Sequence, residues 1–222
     1  MKNLLFIASF FIAINLNAQV TKDLGDFDTV RVFDKLNVKL IAGSENKIVI
    51  EGKEEENVEV INKNGELKIR MYITKAFSGE DISIKLYFKR IESISASEGS
   101  YISSDYTFKQ TVMELNAKEG AEIRVDLDVE KANVKANSGG IIDLRGSAAN
   151  QDIDITSGGI VKAEELHTSQ TKISVSAGGK AEIHASTLVN AKVKAGGSIF
   201  IYGKPKQINQ ETVMGGTITE KE

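Results

Sequence analysis

The chain of 222 residues contains no cysteine, no tryptophan and only two histidines. Without cysteine there is no disulfide staple, no lipid anchor on an N-terminal Cys and no thiolate chemistry, so stability must come from the core and from backbone pairing. Without tryptophan, and with the five Tyr and nine Phe mostly dispersed, the usual aromatic platform of a sugar-binding cleft is missing. Charge is also unhelpful to one class of partner. The net charge is -3, the pI is about 5.6 and basic residues are scattered, which leaves no electrostatic footprint for nucleic acid.

Long apolar runs are scarce too. The one present, Leu4 to Ile14, follows the positive Lys2 and precedes Leu16-Asn17-Ala18, a small-residue cleavage site before Gln19. This run is too short for a comfortable membrane span and reads as a secretory signal peptide over residues 1–18. The expectation is an exported protein, periplasmic, outer-surface or extracellular, with no integral membrane segment in the mature chain.

What the chain does have is a repeat. Gly139-Gly140, Gly158-Gly159, Gly178-Gly179, Gly196-Gly197 and Gly215-Gly216 follow one another at intervals of 19, 20, 18 and 19 residues. Gly120 and Gly99 extend the series towards the N-terminus. Three residues after the first glycine stand Ile102, Ile123, Ile142, Val161, Ala181, Ile199 and Ile218. Five residues before it stand Ile94, Leu115, Val134, Ile153, Ile173 and Ala191, and then the pattern fails at Gln210. Apolar and polar residues alternate on both sides of each glycine, which means strands with one buried face. Such a unit cannot bury its face alone but can do so stacked on a copy of itself. The predicted fold is therefore all-β: a parallel, right-handed β-solenoid of 19–20-residue rungs about 4.8 Å apart, with small residues at the corners.

The repeat also serves as a coordinate system. Four residues after the glycine come Arg124, Asp143, Lys162 and Glu182, alternating in sign, which predicts an outward charge ladder. Glu98 and Glu119 share the place before the corner glycine, where splaying into water is expected over bridging by Ca²⁺. His167 and His184 fall nine and six places after their glycines, so by this count they do not stack, and a two-His metal site is not expected. Asp126 and Asp128 do not share places with Asp152 and Asp154, so no carboxylate cleft is indicated. Two aromatic clusters, Tyr101 with Tyr106 and Phe108, and Phe200 with Tyr202, are candidate contact patches, with core packing or end-capping as the alternative. No cofactor is expected.

Residues 19–78 alternate as β-strands without the glycine period, and Asn64-Gly65 marks a hairpin. Ile82 and Ile84 occupy the +3 and +5 places of Gly79, so the solenoid is placed at 79–222, with 19–78 capping or continuing it. Over this stretch Phe27-Asp28-Thr29-Val30-Arg31-Val32, then Leu36-x-Val38-x-Leu40-x-x-Gly43, Ile48-x-Ile50-x-Gly52 and Leu67-x-Ile69 lead into the Ser/Ala-Gly-Gly corners. In this order the motifs resemble the secreted bacterial autotransporter-adhesin head domains, the GIN domains, across essentially the whole mature chain. The leader ending Asn17-Ala18-Gln19 is similar to those common in Bacteroidetes. The resemblance implies a solenoid-like all-β fold, a cell-surface or periplasmic location and an adhesin role, and carries no catalytic residues. The expected function is thus a non-enzymatic envelope module that contacts a surface protein, a glycan or copies of itself. The alternative is a carbohydrate-active β-helix enzyme using surface carboxylates.

Overall fold

A computed structural model describes residues 19–222; the expected signal peptide lies outside the described residues. Sixteen strands follow in chain order: β1 (Gln19–Asp23), β2 (Thr29–Val32), β3 (Asn37–Ala42), β4 (Lys47–Gly52), β5 (Val58–Lys63), β6 (Glu66–Met71), β7 (Ile82–Phe88) and β8 (Ser93–Ala96). Then come β9 (Tyr101–Lys118), β10 (Glu122–Asn137), β11 (Ile141–Thr156), β12 (Ile160–Ser176), β13 (Lys180–Lys194), β14 (Ser198–Tyr202), β15 (Gln207–Val213) and β16 (Thr217–Glu220). From β8 onward they stack in parallel, each rung on the next, as the alternation predicts. The result is a β-solenoid of about 7 turns at ~19-residue spacing.

The two apolar places of the repeat become two continuous inward columns. One runs Ile84, Val38, Ile102, Ile123, Ile142, Val161, Ala181, Ile199, Ile218. The other runs Leu67, Val30, Ile94, Leu115, Val134, Ile153, Ile173, Ala191 and ends at Gln210. Nearly all are buried, in a single core along the whole stack. Stacked like residues keep the same width at every level, so each rung closes the face its neighbour leaves open. At the last rung Gln210, Thr212 and Glu220 occupy places held one rung earlier by Ala191, Val193 and Ile201, and the end of the core is polar.

Each corner holds two successive left-handed residues, followed in the last two corners by a second glycine that also has positive φ, Gly197 at 113° and Gly216 at 114°. At the Gly139–Gly140 corner Ser138 has φ 47° and Gly139 φ 75°, and Gly140 N donates to Asn137 O at 2.8 Å. This is the pattern of a type I′ turn. The two glycines of the pair serve different needs. A Cβ on Gly139 would meet open space, so that residue answers the positive φ. A Cβ on Gly140 would sit 2.2 Å from Ala117 O of the adjacent rung, so that residue answers close backbone approach. Ladder bonds continue through the corner, with Ile141 N donating to Ala121 O at 2.8 Å.

The N-terminal strands do not stack in chain order. The pairing runs β4, β7, β3, β9 on one face and β5, β6, β2, β8 on the other. The rung made by β2 and β3 is therefore inserted between the one holding β6 and β7 and the one that opens β9. The expected division at residues 78 and 79 does not follow this order: β7, on the solenoid side of that line, stacks on β3 from the other side. Antiparallel β1 and β5 then cover the outermost strands.

Candidate functional site

Outward residues of the strand preceding each corner build a polar grid. Glu114, Asn133, Asp152, Lys172, Asn190 and Asn209 form one register column. Asn116, Lys135, Asp154, Ser174, Lys192 and Glu211 form its neighbour. Ile153, Ile173 and Ala191 between them point into the core, so the two columns stand side by side on one face. Over the last four rungs they line an open groove of about 600 Å³ from Asp152 to Glu211. Links within the columns fix side-chain positions: Asn209 Nδ2 donates to Asn190 Oδ1 at 2.8 Å and Lys192 Nζ to Glu211 at 2.6 Å. Of these residues only Asp152 and Asp154 are placed by the sequence reading, as a pair with no matching carboxylates; the two columns come from the strand register.

On the strand following the corner, Arg124, Asp143, Lys162 and Glu182 are register partners on four successive rungs. Arg124 Nε donates to Asp143 Oδ2 at 3.1 Å. Glu182 pairs with Lys180 on its own strand, at 2.8 Å. Lys162 lies between Asp143 and Glu182 and acts on Glu182 through space.

A bulge in β12 disturbs this face and makes its most unusual feature. Ala163 pairs with Ile183 and His167 with His184, so Glu164, Glu165 and Leu166 are three residues without counterparts on β13. Leu166 turns into the core, and the two glutamates project. Burial and the neighbouring Glu182 raise the Glu164 carboxyl above its usual range. Glu182 is held low by its hydrogen bond from Lys180. Two carboxyls thus share a patch with their titrations pushed apart.

The same bulge overturns the histidine count. A difference of three places from the corner is cancelled by three looped-out residues, so His167 and His184 do stack. Their ring centroids are 4.2 Å apart and their planes meet at 88°. Burial, and then the proximity of His167, push the His184 imidazole below its ordinary value. The column continues through Ser147, which donates to Asp128 at 3.2 Å, and Lys109, which pairs with Asp128 at 3.3 Å. No composition signal marks the bulge, so the pairing was not visible in the sequence.

The first aromatic cluster is also corrected. Phe108 is only 1% exposed and stacks on Phe88 at 5.5 Å, with Tyr106 edge-on to both. An irregularity in β9 between Ser103 and Thr107 brings Phe108 level with Leu127, an inward place, so Phe108 is core and only Tyr106 offers an exposed ring. Tyr101 stands half-buried beside Glu122. Phe200 lies half-buried under Lys180 and Lys221, at 5.4 and 5.0 Å, and Tyr202 adjoins His184. At the first corner, burial and then Asp34 and Glu119 raise the Glu98 carboxyl, while Glu119 takes Lys118 at 3.3 Å.

Among the described residues no three His, Cys, Asp or Glu side chains converge as a metal-binding group, and no helix is long and apolar enough to cross a membrane. Comparison with curated proteins gives no match. Among solved structures, an adhesin-named protein of Bacteroides fragilis is 18% identical with a TM-score of 0.81, covering 92% of this chain and 97% of its own. A second, from Parabacteroides merdae, is 18% identical with a TM-score of 0.75 over 92% and 96%. A Parabacteroides distasonis protein named "Putative lipid binding protein" is 17% identical with a TM-score of 0.68 over 94% and 98%. At these identities the likeness shows the fold. The family model described as "Putative auto-transporter adhesin, head GIN domain" matches residues 26–205, and the chain belongs to that family.

Proposed function

We propose that the protein is a non-enzymatic binding module of the bacterial envelope, exported by its leader, that contacts a surface protein or glycan through the polar grid. One observation carries this reading: eight outward side chains, Asp152 to Glu211, arranged in two register columns on four rungs around an open groove. The rungs hold donors and acceptors at a repeat of about 4.8 Å on a backbone that is ordered before any partner arrives. Preorganisation lowers the entropic cost of binding, and a mixed set of amides, hydroxyls and charges recognises a hydrogen-bonding polymer by register more than by apolar area. The lipid-binding name of one similarly folded protein suggests an apolar ligand, but the apolar residues of this groove are floor residues packed in the core.

The test is a screen of the purified protein against glycan and matrix-protein arrays, repeated with the double variant Lys172→Glu/Lys192→Glu. Both lysines are at the surface, so the melting temperature should stay within about 2 °C while binding falls tenfold or more. Binding that survives the double reversal would remove this face from consideration.

A second reading, the carbohydrate-active enzyme, has the Glu164–Glu182 pair in its favour, because divergent carboxyl titrations suit acid and base roles. Geometry counts against it. Lys180 Nζ stands 2.8 Å from Glu182 Oε1, so that carboxylate is engaged in an ion pair on its own strand. Polysaccharide turnover lost on Glu164→Gln would reinstate the enzyme.

A further inference from the structure

The β12 bulge sets the chain's only two imidazoles side by side, on rigid parallel strands. The Cε1 and Nδ1 of His184 lie against Gly203, where an added Cβ would come within 2.6 and 2.8 Å of them. That nitrogen is buried and without a hydrogen-bond partner, which leaves Nε2 as the one free for a ligand. Both rings line an open cavity of about 430 Å³ that also includes Asp128, Ser147 and Ser186.

We propose that His167 and His184 form an open, two-imidazole site for a divalent first-row transition metal, with Cu²⁺ preferred. Metal–nitrogen bonds of about 2.0–2.1 Å put each ring centroid about 3.2 Å from the ion. Two ligands cis at a right angle then have centroids about 4.5 Å apart, and tetrahedral ligands about 5.2 Å. The observed 4.2 Å lies beside the cis value, a few tenths of an ångström from it and well short of the tetrahedral one. Cis coordination by nitrogen suits the tetragonal geometry of Cu²⁺ or Ni²⁺, and the general order of divalent affinities places Cu²⁺ first. Because no third His, Cys, Asp or Glu converges on the pair among the described residues, water fills the remaining positions. The bound ion stays exchangeable.

The unpartnered Nδ1 bears on strength. Outer-shell hydrogen bonds to ligating imidazoles typically contribute 10–100-fold in affinity, and His184 lacks one. The site is thus a capture site of moderate affinity, unlike a closed structural centre. Adjacent rungs set the ring spacing before any ion arrives.

The experiment titrates untagged protein with CuCl₂ and reads both calorimetry and the electron paramagnetic resonance spectrum. One ion per chain, with hyperfine splitting from two equatorial nitrogens, is expected, followed by weaker binding of Ni²⁺ and Zn²⁺. His167→Ala should reduce affinity tenfold or more and leave a single-nitrogen spectrum, and His184→Ala should do the same. His167 is exposed, so its variant keeps the fold, checked by an unchanged melting curve without metal. Equal binding and an unchanged spectrum in the double variant would overturn the site, as would no saturable binding by the wild-type protein.

Discussion

The corner at residues 33–36 and the corner at residues 137–140 have the same backbone and different chemistry. Asp34 and Lys35 are both left-handed, at φ 60° and 61°, and Leu36 N donates to Phe33 O at 3.2 Å, as Gly140 N does to Asn137 O. The later corner relies on glycine, whose missing Cβ lets both the turn and the close stacking occur at low cost. The earlier one has no glycine. It is held by the buried Asp34 carboxylate, which accepts from Met71 N at 3.0 Å and Phe77 N at 3.1 Å across to the adjacent rung. A turn that the chain disfavours locally can be kept by tertiary hydrogen bonds, at roughly 1–2 kcal/mol of strain for each left-handed non-glycine. The Gly-Gly rungs are self-sufficient copies; the N-terminal rungs depend on particular partners.

Removing the carboxylate should break the earlier corner most severely. Asp34→Ala leaves the buried Met71 N–H and the part-buried Phe77 N–H without their acceptor, and bonds to a charged group are worth about 1.5–3 kcal/mol each, so a loss near 3 kcal/mol is expected. Thermal denaturation should show a fall of about 6–12 °C. A drop under 2 °C would mean that the corner holds itself.

The matching change in the regular stack is Gly140→Ala. Its new Cβ meets the Ala117 carbonyl, and overpacking of this kind costs about 1–3 kcal/mol. Gly139→Ala meets no atom and should cost only its positive φ, about 1 kcal/mol. If chemical denaturation ranks Gly139 as the more sensitive of the two, the division of labour within the pair is wrong.

The smallest effect lies where the two kinds of corner touch. Glu98 belongs to the corner stacked on Asp34, and burial, Asp34 and Glu119 raise its pKa. A carboxyl raised in the folded state contributes stability below its ordinary value of 4.5 and loses it as pH rises through the folded value. Glu98→Gln should therefore raise the melting temperature at pH 7 by on the order of 1 °C and leave it unchanged at pH 4. An equal gain at both pH values would assign the effect to packing.

These corners explain how much was legible. The period, the strand alternation and the inward columns from Ile94 to Ala191 were all readable, because each Gly-Gly rung repeats the same local requirements. The inserted rung was not, since Asp34-Lys35 makes the same turn without the residue that marks it. Of the site, the charge column from Arg124 to Glu182 could be counted out along the repeat, and the structure places those four residues in register. The histidine pair and Phe108 could not be placed by counting. Each lies beyond a bulge, and a bulge shifts the register without a turn residue to announce it.

The sequence by itself thus determined an all-β solenoid, its rung length and the positions of its glycine corners. Those follow from steric limits on φ, from side-chain alternation and from the need of every rung to bury one face. Tertiary structure alone decided the order of the N-terminal rungs, the face that carries the polar grid and the meeting of His167 with His184. The reason is physical: which residues lie side by side depends on inter-strand register, a property of two segments together that neither encodes alone.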